Sequence, residues 1–298
     1  MQPFAEENSL TAPHNPLEGQ AETLPSQASA VGTQPADLPP IELLAPPYPL
    51  APSSPPAENP PWSGLDVLIL AAVTIFAIFL SMMGVSLVAH MYFEPGVPWV
   101  DVARKPEVVV LSQVLGYLVV LALMVRLASA HGDSAASALK WNWPQSWPAF
   151  LGYGVVLSIA LQLLAHLLPM PKTLPIDEFF QTPREAWLLS LFGITFAPLL
   201  EELFFRGFLY PVLARRFSVA TGILVTGLAF GAIHGAQLKY SWGPVLVIVL
   251  VGIVLTTVRA ASKSVASTFL MHVGYNFTLM VAMFAGTDGF RHLEKLRT

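Results

Sequence analysis

Cysteine is absent from this chain, and charge is scarce. The first absence removes disulfides, thiolate metal ligands and a cysteine nucleophile, and it leaves the redox compartment unmarked. The second bears on class: Asp, Glu, Lys and Arg make up 11% of the 298 residues, whereas a soluble domain carries about 25%. Familiar catalytic signatures are missing too. There is no H-E-x-x-H, the usual zinc-hydrolase helix, and no G-x-S-x-G serine elbow. Asp66, Asp101, Asp133, Asp177 and Asp288 fall at the ends of apolar runs or in loops, so no aspartate pair is set up in mid-membrane. No polar segment mixes basic with aromatic residues, which argues against a nucleic-acid partner.

What is present is apolar: 54% of the residues are hydrophobic and the mean hydropathy is +0.60. The expected fold class is all-α, a polytopic transmembrane helix bundle, integral to the membrane and multi-pass. Proline divides the chain, because residues 1–62 hold 15 of the 27 prolines along with seven acidic and no basic side chains. Such a segment cannot bury enough apolar surface to offset the entropy of ordering, so it reads as a disordered tail, partly polyproline II. Docking to a proline-reading partner is its alternative use. No basic stretch followed by an apolar core opens it, so it is not read as a signal peptide.

Residues 63–298 are read as the transmembrane domain. Against the roughly 20 residues a spanning helix needs, apolar runs recur at 65–90, 107–129, 148–168, 193–214, 218–236, 243–258 and 264–285. A further apolar piece at 184–192 makes the expected count seven or eight. All seven tryptophans lie at or just outside the ends of these runs, the pattern of an interfacial belt. Basic residues divide almost evenly between alternate faces, which sets no orientation.

Six polar residues interrupt the apolar runs at helical spacings: Glu201, Glu202 and Arg206 in PLLEELFFRGFLY, His234 in LAFGAIHG, and His272 with Asn276 in FLMHVGYNF. An ionisable side chain at the centre of a spanning helix costs roughly 2.5–3.5 kcal/mol, so a cluster of them marks a candidate site. Glu202 and Arg206 stand four apart with the acid first, the favourable order for an intrahelical ion pair, and are read as structural support. Glu201 points about 100° away from Glu202. A carboxylate in a low-dielectric pocket can serve as general base on water and return the proton to a leaving amine. For Glu201 to share depth with His234, its crossing must start late, near Gly193 to Pro198, where proline can kink or begin a helix. Gly227, Gly231 and Gly235 form a stripe that admits another helix closely and is expected to bring His234 toward Glu201. His272 and Asn276 share one helix face as donors of the oxyanion-stabilising type, or else as polar glue between helices. His90, His131, His166 and His292 fall near crossing ends or in loops and are assigned no chemistry.

The ordered motifs E-E-x-x-x-R (Glu201, Glu202, Arg206), F-x-x-x-H (Phe230, His234) and H-x-x-x-N (His272, Asn276) resemble the CPBP or ABI family of CAAX-prenyl-protease-like membrane proteins, over about residues 140–285. The resemblance implies Glu201 and His234 as the water-activating pair, His272 and Asn276 as oxyanion stabilisers, and Glu202 with Arg206 as support. No cofactor is expected; the alternative is zinc held by Glu201, His234 and His272 with water in the fourth position. The implied function is an intramembrane endopeptidase acting on a protein or peptide in or at the bilayer, prenylated or not. Two other uses of the cluster stay open: a non-catalytic scaffold or immunity-type protein that binds a membrane partner, and a proton-relay transporter, for which the first three crossings show no inverted repeat of the motifs.

Overall fold

The computed structural model describes residues 58–297 except His131, Asp133 and Lys172. The readings placed on residues 1–57 and on those three positions lie outside the described residues. Among the described residues, six helices are long and apolar enough to cross a membrane: α1 (Gly64–Phe93), α2 (Pro106–Ser129), α3 (Trp147–Ala165), α4 (Pro183–Arg216), α6 (Trp242–Ser262) and α7 (Val265–Gly286). Between α4 and α6 lies α5 (Val219–Ile233), apolar but shorter. The chain is therefore an integral, multi-pass membrane protein, all-α among the described residues. Leu65, Leu68, Ile75, Phe76 and Phe79 on α1 stay exposed, as side chains facing lipid do.

Two differences from the sequence reading shape the site. The apolar piece at 184–192 joins the expected fourth crossing in one stretch, α4, which is broken at Thr195 (φ −116°, ψ −70°). Pro198 explains the break, since it has no N–H to offer the carbonyl of residue 194. A new helical segment starts at Phe196 and carries Glu201 and Glu202. It then widens into a π-helical stretch, Leu203–Leu209, which holds Arg206, before Tyr210–Arg216 completes the helix. The second difference is length. The 15 residues of α5 rise about 22 Å, short of the roughly 30 Å apolar layer, so His234 at its C-terminal end is carried to the level of mid-α4.

Glycines set the helix spacing. A Cβ on Gly227 would meet the Ile253 backbone, and one on Gly252 would meet Gly227. The glycine stripe of α5 thus packs on α6 and not on the helix that bears Glu201, because the neighbour across the stripe is set by tertiary contacts that spacing does not reveal. On the other side of the bundle, a Cβ on Gly154 of α3 would fall on the Met271 carbonyl oxygen, and one on Gly274 of α7 on that of Leu151. Gly154→Ala is expected to destabilise the protein by about 1–3 kcal/mol through overpacking next to His272. A lowered unfolding midpoint in detergent would show this; an unchanged midpoint would mean that α3 and α7 do not touch backbone to backbone.

Residues 58–62, the end of the expected tail, are packed. Trp62 is 1% exposed; its ring lies 4.4 Å from that of Phe208, and its Nε1–H donates to the Phe208 carbonyl at 3.1 Å. This tryptophan belongs to the core and not to an interfacial belt. Glu58 is buried and accepts hydrogen bonds from Arg259 (3.0 Å) and Lys140 (2.7 Å). Burial works to raise the Glu58 carboxyl, but Arg259 and Lys140 together outweigh it and hold it below the ordinary value.

Candidate active site

Glu202 and Arg206 are both fully buried, and their 2.7 Å ion pair runs along one turn of α4. The guanidinium is satisfied further by α6, donating from one terminal nitrogen to the Gly252 carbonyl (3.1 Å) and from Nε to Thr256 Oγ1 (3.3 Å). Its carbon lies 4.6 Å from the centre of the Phe230 ring, a cation–π contact. A charge with this many partners tolerates burial that an isolated one would not. Gly252 and Thr256 had no assigned role in the sequence. Their signal was present, a glycine and a threonine four apart in the apolar run LVGIVLTT, but four-residue spacing alone does not name a partner.

The same Glu202 oxygen that meets Arg206 lies 2.8 Å from His272 Nδ1. A carboxylate paired with arginine accepts, so His272 Nδ1–H is the donor. This leaves Nε2 directed at Glu201, 3.8 Å from its Oε2. His234 repeats the pattern. Its Nδ1 lies 2.8 Å from the Phe230 carbonyl, which can only accept, and its Nε2 lies 3.9 Å from Glu201 Oε1. Each carboxylate oxygen of Glu201 thus faces the free ring nitrogen of one histidine. The separations exceed the 2.7–3.2 Å of a direct hydrogen bond and are of the kind a bridging water closes. Glu201 and His234 are partly open, at 17% and 19% side-chain exposure, while His272 is at 5%.

Phe230 ties the cluster together. Besides holding His234 through its carbonyl and Arg206 over its face, its ring lies edge-on to that of His272 at 5.8 Å. Asn276 behaves differently from the other five residues. Its Nδ2 donates to the Gly193 carbonyl at 2.7 Å, beside the break in α4. It takes up backbone polarity where the helix is interrupted, and one of its two amide hydrogens is committed there. Glu201, Glu202, Arg206, His234 and His272 converge.

The fit of a metal can be read from the same distances. Four-coordinate zinc with bonds of about 2.0–2.2 Å sets neighbouring ligand atoms roughly 3.3–3.5 Å apart, closer than the 3.8 and 3.9 Å seen here. Among the described residues, no group of three His, Cys, Asp or Glu is placed to hold a metal ion. Glu201, His234 and His272 do not form a ligand set in this geometry.

The fold and cluster define a class: a polytopic membrane protein with a partly open carboxylate–histidine site among its helices. Residues 183–278 match the family model described as Type II CAAX prenyl endopeptidase Rce1-like. That stretch is about a third of the chain and contains every motif residue from Glu201 to Asn276, and its match supports the resemblance to the CPBP or CAAX-protease family of membrane endopeptidases. No curated protein and no solved structure matches the chain.

Proposed function

We propose that the chain is an intramembrane endopeptidase that hydrolyses a peptide bond of a membrane-associated protein or peptide by water activated between Glu201 and His234. The observation that carries this reading is the arrangement of two imidazoles, each fixed through Nδ1, aiming Nε2 at opposite oxygens of one accessible carboxylate. In the reaction, a water donates one hydrogen to Glu201 and the other to His234 Nε2. Its lone pair attacks the scissile carbonyl as Glu201 takes the proton, and Glu201 then returns that proton to the departing amine. His272, when doubly protonated, presents Nε2–H to the oxyanion while Glu202 balances its charge. The second amide hydrogen of Asn276 adds a donor one turn along the same face. No metal is assigned a step.

Comparative proteomics of membranes containing the wild-type chain or Glu201→Gln, each with and without chelator, tests the proposal. Fragments cut from membrane proteins should accumulate only with the wild-type chain, and chelation should leave them unchanged. Equal fragments with Glu201→Gln would remove Glu201 from catalysis. Loss of cleavage on chelation with recovery on added zinc would replace the water mechanism by a metal one. A prenylated substrate class, as the family's description suggests, would appear as fragments derived from lipid-modified C-termini.

A further inference from the structure

Residues 58–62 touch α4 and α6 directly and reach α7 through Lys140, at points removed from the site in sequence. Trp62 packs against Phe208 and donates to its carbonyl, inside the π-helical stretch that holds Arg206. The carbonyls of Pro60 and Trp62 accept from Arg215 at 2.6 and 2.9 Å, at the end of α4. Glu58 accepts from Arg259, 1% exposed, on α6, one turn beyond the Thr256 that holds Arg206. It also accepts from Lys140, whose own carbonyl receives the N–H of Val265, the first residue of α7 and of the helix bearing His272. Asn142 adds to this last joint by accepting from Ser264 Oγ.

We infer that residues 58–62 form a strap that sets the relative placement of α4, α6 and α7, making Glu58 and Trp62 positioning residues for the hydrolysis proposed above. The physical argument is one of lever arms. Glu201 and Arg206 on α4, the carbonyl of Gly252 that holds Arg206 on α6, and His272 on α7 come from three helices, and nothing covalent near the site joins them. A buried carboxylate shared by two cations resists separation of its partners, because parting them would leave uncompensated charge in an apolar setting. The prolines at 60 and 61 stiffen the strap between its two anchors, fixing φ at both positions. Positioning errors of about 1 Å far from the chemistry can reduce turnover by about a hundredfold, so such a clamp acts on rate and not on substrate capture.

The test compares Glu58→Gln and Trp62→Phe, both in the full-length chain. Trp62→Phe keeps an aromatic ring against Phe208 while removing the N–H donor and one fused ring, so it reports on positioning even if Glu58→Gln lowers the yield. Two readouts are taken: hydrogen exchange of peptides covering residues 203–216 and 255–262 without substrate, and kcat and KM on a fluorogenic peptide ending in a farnesylated CAAX box. The expected result is exchange raised about tenfold in both segments and kcat lowered about tenfold with KM within about twofold. Unchanged exchange in the two variants would overturn the strap, as would raised exchange with wild-type kcat. Exchange is measured on the unliganded protein, so it decides the strap even where this peptide is not cleaved by the wild-type chain.

Discussion

Glu201→Gln is expected to lower kcat by about two to four orders of magnitude, the range general acid–base catalysis supplies, while the protein still folds and inserts. Glutamine matches glutamate in size and keeps one carbonyl oxygen, but its amide cannot take the proton from water. It also presents N–H to one of the two histidine nitrogens that now face oxygen at 3.8 and 3.9 Å. The change should fall on kcat and leave KM nearly alone, since nothing in the proposal has Glu201 bind the ground state of the substrate. Steady-state kinetics on purified protein, beside an unfolding curve in the same detergent, checks both parts. Wild-type kcat in a folded Glu201→Gln protein would end the assignment.

Arg206→Met is expected to destabilise the protein by about 3–5 kcal/mol, the cost of leaving one partner of a buried ion pair behind. Glu202 is fully buried with Arg206 and His272 as its hydrogen-bond partners. Removing the guanidinium strands that carboxylate beside the imidazole and takes one of two side-chain donors from the Gly252 carbonyl, leaving it Thr256 Oγ1. Adding Glu202→Leu to the same chain should recover much of the loss, because an apolar pair of similar volume avoids burying a charge. The double variant would nonetheless be inactive, having lost the acceptor that orients His272. Equilibrium unfolding in detergent gives the first two numbers and the cleavage assay the third. A single variant as stable as the wild type would show that the pair is solvated.

How much was readable beforehand follows from what spacing can encode. The Glu202–Arg206 pair lies within one helix, so its four-residue separation was enough to predict the 2.7 Å contact. The late start before Glu201 was readable as well, since Pro198 interrupts a backbone ladder wherever it stands. Relations between helices were less accessible. The glycine stripe of α5 announced a close neighbour but not that the neighbour is α6. Asn276 shares a helix face with His272, yet its amide goes to the Gly193 carbonyl that the break in α4 lays open. Trp62 and Glu58 were misjudged for a different reason. Composition averages over a proline-rich stretch, and residues 58–62 are held by Arg259, Lys140 and Arg215, partners from 82 to 201 positions away in sequence that no local window contains.

The brevity of α5 reaches beyond the placement of His234. Helices such as α1 and α2, at 30 and 24 residues, demand a full hydrocarbon thickness, while the α5 edge offers about three quarters of it. Acyl chains beside that edge must compress, or headgroups and water must sink toward His234 to fill the step. Hydrolysis in a greasy environment needs a supply of its smallest reactant, and a local dip in the bilayer delivers it sideways, without a pore. Turnover in liposomes should accordingly respond to lipid tail length more steeply than the stability of the bundle does.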